Sequence, residues 1–594
     1  MDTPIYADHI FGLTGSPSQR LKESQQRLNG VHHWGEKRPF RPEPGDRVLL
    51  HATSSSDLPI RAMRVAITVD DWNTQTSFTM KAEELSWDTL AWGWLKRWSL
   101  LLPSQQAGTL LRYKIWAELA GEGAGTPKTL YADSQASCFE EANAFAIWYG
   151  ADQTPGWAKE ARIYQIFVDR FNPGERGQWL QKDDLRQPMG GTLRGIIEKL
   201  PYIADMGFNC LWLTPIFASP SHHGYDASHY FRIEPRLGTE KDLRLLMECA
   251  HALGLRILLD FVANHSSVQH PAMQQALADR STADWYQWKK WPKYAAFFGV
   301  KEMPNFNLAY GSPARAHLLE AARYWLEFGA DGYRCDYANG PSADFWVDFR
   351  KVCREAKPNS WFFGEVIRPA DEQRAFVGGL DGTLDFLTCQ AIRESLALGT
   401  WKLSRLAGSL TQSEAYFPPE FSRPAFIDNH DMNRFLFSAR GDERLLRMAL
   451  CLLYLLPQPP VVYYGTENLC SQEKSIHSEG SVGFDEARLP MDWQAEPRLA
   501  GLLKQLADLR QNYPQFLAAP WQCDWVDDAK GSLLLTKRLE ENETWQFYIN
   551  RGADWQLRLA AGEKELILGK ECGASLAGDA LSLQAYSCAL IHRP

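Results

Sequence analysis

Hydrophobic and polar positions change their period twice along this chain. Residues 1 to about 40 are polar with few periodic apolar positions. From Gly45-Asp46-Arg47-Val48-Leu49-Leu50 to about Ala136, apolar and polar residues alternate in short runs such as Arg112-Tyr113-Lys114-Ile115-Trp116-Ala117, with turn residues between them. A period of two marks half-buried strands, so this region predicts a β-sandwich. From Arg162 the pattern switches to short apolar runs: Ile163 to Val168, Cys210 to Leu213, Ile257 to Val262, Tyr333 to Cys335, Trp361 to Val366, Leu384 to Phe386, Ala425 to Ile427 and Val461 to Tyr464. Longer amphipathic stretches, among them Leu193 to Met206 and Ala314 to Phe328, lie between many of these runs. Eight buried strands alternating with helices predict a (β/α)8 TIM barrel, an α/β fold. Alternation returns after about Gln515, in Ser532 to Thr536 and Thr544 to Ile549. The chain therefore divides into an N-terminal β-sandwich over 1–150, a barrel over 151–512 and a C-terminal β-domain over 513–594.

Composition narrows the function classes. The 594 residues are 45% hydrophobic and 23% charged, enough to bury a large core in several domains. A net charge of −9 without a basic block argues against nucleic acid as a partner. No apolar run is long enough to span a bilayer, and Met1-Asp2-Thr3-Pro4-Ile5-Tyr6-Ala7-Asp8 has neither a basic start nor an apolar stretch, so neither membrane insertion nor export is expected. Eleven cysteines, none in a Cys-x-x-Cys pair, imply reduced thiols and a cytoplasmic setting.

The densest chemistry is Gly332-Tyr333-Arg334-Cys335-Asp336. On a strand, Arg334 and Asp336 share a face, and a carboxylate beside a guanidinium is either a structural ion pair or a nucleophile. Three further segments place acids or histidines at predicted strand ends, the rim where barrels keep their active sites: Asp260-Phe261-Val262-Ala263-Asn264-His265, Glu365, and Asn429-His430-Asp431. Any one of these acids alone reads equally as a helix cap or surface group. Together they predict convergence on one site.

These segments resemble the motif blocks of the alpha-amylase superfamily of glycoside hydrolases (family 13), in order: Asp260-x-x-x-Asn264-His265, Met303-Pro304-Asn305-Phe306-Asn307, Gly332-x-Arg334-x-Asp336, Gly364-Glu365-Val366 and Phe426-x-x-Asn429-His430-Asp431. Supporting matches are Ile163-Tyr164-Gln165-Ile166-Phe167-Val168-Asp169-Arg170-Phe171, His223-Gly224-Tyr225-Asp226 and Tyr463-Tyr464-Gly465-Thr466-Glu467. The resemblance, over roughly 160–510, implies a small inserted domain at about 266–311. It implies Asp336 as nucleophile, Glu365 as general acid/base and Asp431 as the third acid, which stabilises the oxocarbenium-like transition state. Arg334 would keep Asp336 ionised, and close packing of acids would raise the pKa of Glu365. Substrate-binding positions are implied at Tyr225, Asp226, His265, Arg334, Asn339, His430 and Arg434.

Asp336-x-Ala338-Asn339 and Asn429-His430-Asp431-Met432-Asn433-Arg434-Phe435 look like the cyclomaltodextrinase, neopullulanase and maltogenic amylase branch, as does a β-domain ahead of the barrel. Gly340 differs from the Glu usual there, Met303-Pro304-Asn305 from its commoner block, and His229 from its second acid. The resemblance thus implies a retaining α-glucan hydrolase acting on cyclic or short malto-oligosaccharides, with starch hydrolysis, glucan transfer and a silent glucan-binding role as alternatives. No cofactor is required for this chemistry. Asn264 and the acid-poor run Asp169 to Glu175 match calcium positions of the family, which would make any calcium structural. A homodimer through the N-terminal domain is a further expectation of this branch. Trp72, Trp87, Trp92, Trp94 and Trp98 of that domain read as packing or dimer contacts, with sugar stacking as the alternative.

Overall fold

The computed structural model describes the chain from Tyr6 onward, except residue 9, most of 11–27, and residues 56, 90–91, 121–127, 151–152, 181–183 and 540–542. Met1 to Ile5, part of the opening read for an export signal, lie outside the described residues. Eight parallel strands form the central sheet: β1 (Ile163–Ile166), β2 (Cys210–Leu213), β3 (Arg256–Val262), β4 (Gly332–Asp336), β5 (Trp361–Gly364), β6 (Gly382–Thr383), β7 (Ala425–Phe426) and β8 (Pro460–Tyr463). Their order is β6-β5-β4-β3-β2-β1-β8-β7. Closure comes from the run entering β7, where Ser422 O accepts Thr383 N–H at 3.0 Å and Pro424 O accepts Asp385 N–H at 3.0 Å. The ring is a TIM barrel, as the alternation predicts.

Seven of the eight strands fall on their predicted runs, and the sixth does not. Leu384 to Phe386 was the expected strand, but Asp385 instead caps a helix (Phe386–Ile392), its carboxylate accepting Thr388 N–H at 2.9 Å. An Asp that satisfies an orphan donor of the first turn favours helix start over strand, and the strand retreats to Gly382–Thr383. Other barrel helices begin with the same chemistry. Thr192 accepts Gly195 N–H ahead of Leu193–Asp205, and Thr239 and Asp242 form a reciprocal capping box on Glu240–Ala252. Between β3 and β4 the predicted insertion is a small unit with a helix (Pro271–Asp279) and a two-stranded hairpin (Trp288–Lys290, Lys293–Tyr294). Asn305 returns from it to bridge His265 at the rim.

Ahead of the barrel lie two antiparallel sheets of five strands each, enclosing Val48, Leu50, Val65, Ile115 and Trp98. Behind it lie a five-stranded and a three-stranded antiparallel sheet, beginning at Gln522–Asp527. The tryptophans of the N-terminal domain divide. Trp98 is core and donates to Ser54 Oγ at 2.9 Å, and Trp72 packs edge-on against Phe139. Trp87, Trp92 and Trp94 are exposed and meet edge to face at 5.5–5.6 Å.

The N-terminal domain is pinned to the barrel by buried charge. Arg112 forms a bidentate pair with Asp348 (2.8 and 3.0 Å) and reaches Asp344 at 3.3 Å, both on the helix Ala343–Ala356. Arg315, from the helix Pro313–Phe328, pairs with the same two aspartates at 2.6 and 3.0 Å. Further upstream, Asp8 is buried against the loop after β7, where its carboxylate pairs with Arg393 and accepts Asn433 N–H at 2.6 Å. Among the described residues no helix is long and apolar enough to cross a membrane.

Candidate active site

Parallel register sets the centre of the site. Asp260 lies opposite Arg334, and Val262 opposite Asp336, on β3 and β4. Side chains two apart share a face, so Arg334 and Asp336 point together into the rim. Arg334 is wholly buried, and its Nη1 donates to Asp260 Oδ1 (2.8 Å) and Asp336 Oδ1 (2.9 Å) while Nη2 ion-pairs with Glu365 Oε2 (2.9 Å). Glu365 follows the last residue of β5 and is held by backbone bonds on both sides: Glu365 N–H to Cys335 O, and Ala338 N–H to Glu365 O. Its Oε2 also accepts Tyr337 N–H at 3.1 Å. Tyr337 itself takes a left-handed φ of 39°, the sharp turn that follows the nucleophile position.

One guanidinium is thus divided among three carboxylates. Burial raises the Asp336 carboxyl well above its ordinary range, Arg334 opposes this, and Glu365, Asp260 and Asp431 reinforce it. Glu365 is raised as well, by burial first and by Asp431, against Arg334. Arg334 thus favours the ionised form of Asp336, and burial is the main effect that works against it. Asp431 goes the other way. Burial pushes its carboxyl up, but His430 and Arg488 outweigh this and hold it well below the usual carboxylate range. With 30% of its side chain exposed, against 9% for Asp336 and 11% for Glu365, Asp431 is the most open of the three acids.

His430 organises the opposite wall. Gln165 Nε2 donates to His430 Nδ1 at 2.7 Å, so the ring proton belongs on Nε2, which faces Asp431 Oδ2 (2.9 Å) and the Tyr225 hydroxyl (2.6 Å). Tyr225 stacks flat on His430 at 5.3 Å and donates to Asp260 Oδ2 at 2.9 Å, which ties the wall back to Arg334. His265 is buried and stacks on Phe297 at 4.3 Å; burial lowers it to about 4, so the ring is neutral at pH 7.

Arg334, Asp336, Glu365, His430, Asp431 and Tyr225 therefore meet, with His265 beside them. Three expected positions do not join this group. The Asp226 carboxylate accepts the hydroxyls of Ser219 and Ser221 and braces its own loop. Arg434 is buried behind the rim, donating to the carbonyls of Tyr464 (2.8 Å) and Ala487 (3.1 Å) over the Tyr463 ring, so it supports a loop and offers nothing to the cleft. Asn339 lines a cavity between the barrel and the N-terminal domain. Gly340 next to it has a steric reason: a Cβ there would lie 2.1 Å from Asn264 Oδ1, so the Glu usual at this position would require the Asn264 side chain to move.

Sequence reasoning missed Arg488, which donates to Asp431 Oδ1 (2.7 Å) and to His430 O (2.8 Å) and ion-pairs with Asp485 at 3.3 Å. It also gave no role to Gln165 or Asp260, although both stand in the quoted motifs. The calcium positions do not fit that ion. Asp169 is taken by the N–H groups of Met189 and Gly190 and by Arg170, and the Asn264 side-chain nitrogen points at Asn305 and His265. Calcium needs six to eight oxygens, mostly free carboxylates and carbonyls. The cysteines are free thiols, and Cys451, Cys572 and Cys588 cluster in the core shared with the C-terminal domain.

Residues 165–519 match the catalytic domain of alpha amylase. "Alpha-amylase 2" of Dictyoglomus thermophilum is 38% identical over 368 residues, which is 61% of this chain and 65% of that protein, just under two thirds of its length. "Neopullulanase 2" of Thermoactinomyces vulgaris is 32% identical over 441 residues, 70% of this chain and 72% of its own. In three dimensions, the cyclic alpha-maltosyl-(1→6)-maltose hydrolase of Arthrobacter globiformis superposes with a TM-score of 0.64 at 27% identity, covering 74% of this chain and 99% of that one.

Proposed function

Since the chain belongs to the alpha-amylase family of glycoside hydrolases, we propose that it is a retaining hydrolase of α-1,4-glucosidic bonds in cyclic or short malto-oligosaccharides. The observation that carries this reading is the single Arg334 guanidinium bonded to both Asp336 and Glu365. Two carboxyls held by one such group suit the roughly 5 Å separation of a retaining pair. Asp336 attacks the anomeric carbon, Glu365 protonates the departing oxygen and later deprotonates the incoming water, and Asp431 steadies the developing positive charge. The raised pKa of Glu365 supports its role as the acid. His430 and His265 hydrogen-bond the sugar at the cleavage point, and Tyr225 offers an aromatic floor. Free thiols support a reducing, cytoplasmic setting, and the exposed tryptophan hairpin supports contact with a second copy.

Starch is the second reading, favoured by the alpha-amylase relative at 38% identity. Time-resolved product analysis on β-cyclodextrin, pullulan, soluble starch and maltotriose, with the anomer followed by NMR, separates the two. The proposal expects α-anomers first and a higher kcat/KM per cleavable bond on cyclodextrin or maltotriose than on starch. Starch cleaved as fast as cyclodextrin would support the second reading, and longer oligomers dominating from maltotriose would indicate a transferase.

A further inference from the structure

Three of the eleven cysteines meet at one point. Cys451 comes from the barrel helix Glu443–Leu455, Cys572 from the single turn Lys570–Cys572, and Cys588 from the C-terminal strand Ser587–Arg593. Their sulfurs all lie within 4.8 Å of one another, with Cys451 Sγ 3.5 Å from Cys572 Sγ. Cys451 and Cys588 are wholly buried, and Cys572 is 7% exposed. A buried cysteine packs as a small apolar side chain, which is account enough for Cys210, Cys353 and Cys389, since they join no such group among the described residues. Packing alone gives no reason for three sulfurs from separate segments to point at one another.

The backbone beside the cluster is shaped for close approach. Cys572 N–H donates to Gly569 O at 2.8 Å, and Ala574 N–H donates to the same carbonyl at 2.9 Å. Between them Gly573 turns back with φ 75°, and a Cβ there would lie 3.1 Å from Ser587 Cβ. The residue after Cys572 is thus pressed against the residue before Cys588, which brings those two sulfurs side by side. Cys451 closes on them from the barrel.

The spacing suits an ion better than a bond. Zinc binds thiolate sulfur at about 2.3 Å, so sulfurs sharing one ion stand roughly 3.8–4.0 Å apart, a value bracketed by the separations here. A disulfide needs about 2.05 Å and would leave the third thiol idle. Three thiolates around a dication carry one negative charge, and the neighbourhood offsets it. Arg447 stands one helical turn before Cys451 and pairs with Glu443 at 2.6 Å, while Glu443 also pairs with Arg498 at 2.9 Å, so two guanidinium groups share one carboxylate. Soft sulfur ligands favour zinc over calcium or magnesium.

We propose that Cys451, Cys572 and Cys588 form a zinc site that ties the C-terminal β-domain to the barrel helix leading from β7 to β8. Each sulfur gives its proton to solvent as its bond to the ion forms. No fourth His, Cys, Asp or Glu joins the cluster among the described residues, so the fourth position falls to a water at Cys572, where the cluster meets solvent. The site is structural, and it stands whether or not the hydrolase reading does.

The test uses the full chain, kept reduced with a phosphine and stripped by a chelator. It is titrated with Co2+, whose bonds to thiolate absorb in the near ultraviolet, and then with Zn2+. One Co2+ binds per chain with that absorption, Zn2+ displaces it, and saturating Zn2+ raises the melting midpoint by at least about 3 °C. Cys572→Ser weakens Zn2+ binding at least about tenfold, whereas Cys523→Ser, which removes an exposed thiol outside the cluster, changes nothing. Absence of the cobalt–thiolate absorption, or an unchanged Zn2+ affinity in Cys572→Ser, overturns the proposal. Should Cys572→Ser fail to fold, alkylation of the wild-type protein mapped by mass spectrometry decides instead: Zn2+ protects Cys572, and equal labelling with and without the ion overturns the site. A Cys451–Cys572 disulfide forming in air, with no uptake of either metal, overturns it as well.

Discussion

Replacing Arg112 by Met tests how the N-terminal domain is held. In the intact protein two guanidinium groups, Arg112 and Arg315, face two aspartates, Asp344 and Asp348, and the four are nearly or wholly buried. Arg112→Met leaves one cation for two buried carboxylates. Breaking a buried pair by removing one partner costs about 3–5 kcal/mol, because the surplus charge stays behind. The contact of Arg112 with Asp71 adds little, since that carboxylate is 46% exposed and such pairs are worth about 0–1 kcal/mol. Against a total stability of roughly 5–15 kcal/mol this is a large share. Urea unfolding followed by tryptophan fluorescence, with limited proteolysis between the domains, gives the readout. Arg112→Met loses about 3–5 kcal/mol, and Arg112→Met/Asp348→Asn regains more than half of it by removing the surplus charge. A single-variant loss below about 1 kcal/mol, or a double variant as unstable as the sum of its parts, refutes the charge-balance argument.

Asp336→Asn preserves shape and removes the nucleophile, so turnover falls by about three orders of magnitude or more with the melting curve little changed; a variant keeping a tenth of wild-type kcat would remove Asp336 from that role. Glu365→Gln slows maltotriose far more than an activated aryl maltoside when glycosylation limits both, because a good leaving group departs without a proton; equal slowing of both would argue against the general acid. The acid limb of kcat/KM lies above the range of an isolated aspartate, because the nucleophile works only when ionised and burial raises it, so activity is lost as pH falls through the raised value; a limb at or below the ordinary aspartate range would show that Arg334 outweighs burial. Gly340→Ala costs about 1–3 kcal/mol of stability through overpacking against Asn264, and an unchanged melt would show that the loop yields.

What was legible in the sequence follows from which interactions are local. Barrel strands are buried on both faces, so they read as continuous apolar runs, and Cys210–Leu213 coincides with its predicted run to the residue. Leu384 to Phe386 holds two apolar residues around Asp385, and the cap by that Asp, which decides the segment, depends on a helix start rather than on periodicity. Arg334 and Asp336 were legible because strand geometry fixes their common face. Arg434 was misread because three residues past Asp431 the chain turns into the helix Phe435–Ser438, which carries the guanidinium behind the rim. Arg488 gave no signal at all, since it reaches Asp431 across 57 residues of chain from a loop outside every motif. The second half of the Asn339 cavity was equally silent, for its wall at residues 29–37 is separated from it by about 300 residues and an intervening domain.

The burial of Asp8 against Arg393 and Asn433 also bears on the order of events at the ribosome. The N-terminal β-domain has all its strands once residue 150 has emerged, but the partners of Asp8 are made more than 240 residues later. At about 5–20 residues per second, residue 433 follows residue 150 by roughly 15–60 s. During that interval the first stretch of chain waits beside a finished sandwich with nowhere to dock. A bulky fusion placed ahead of it would therefore leave the sandwich intact and show its cost at the loop after β7, as slow completion of the rim that carries Asp431.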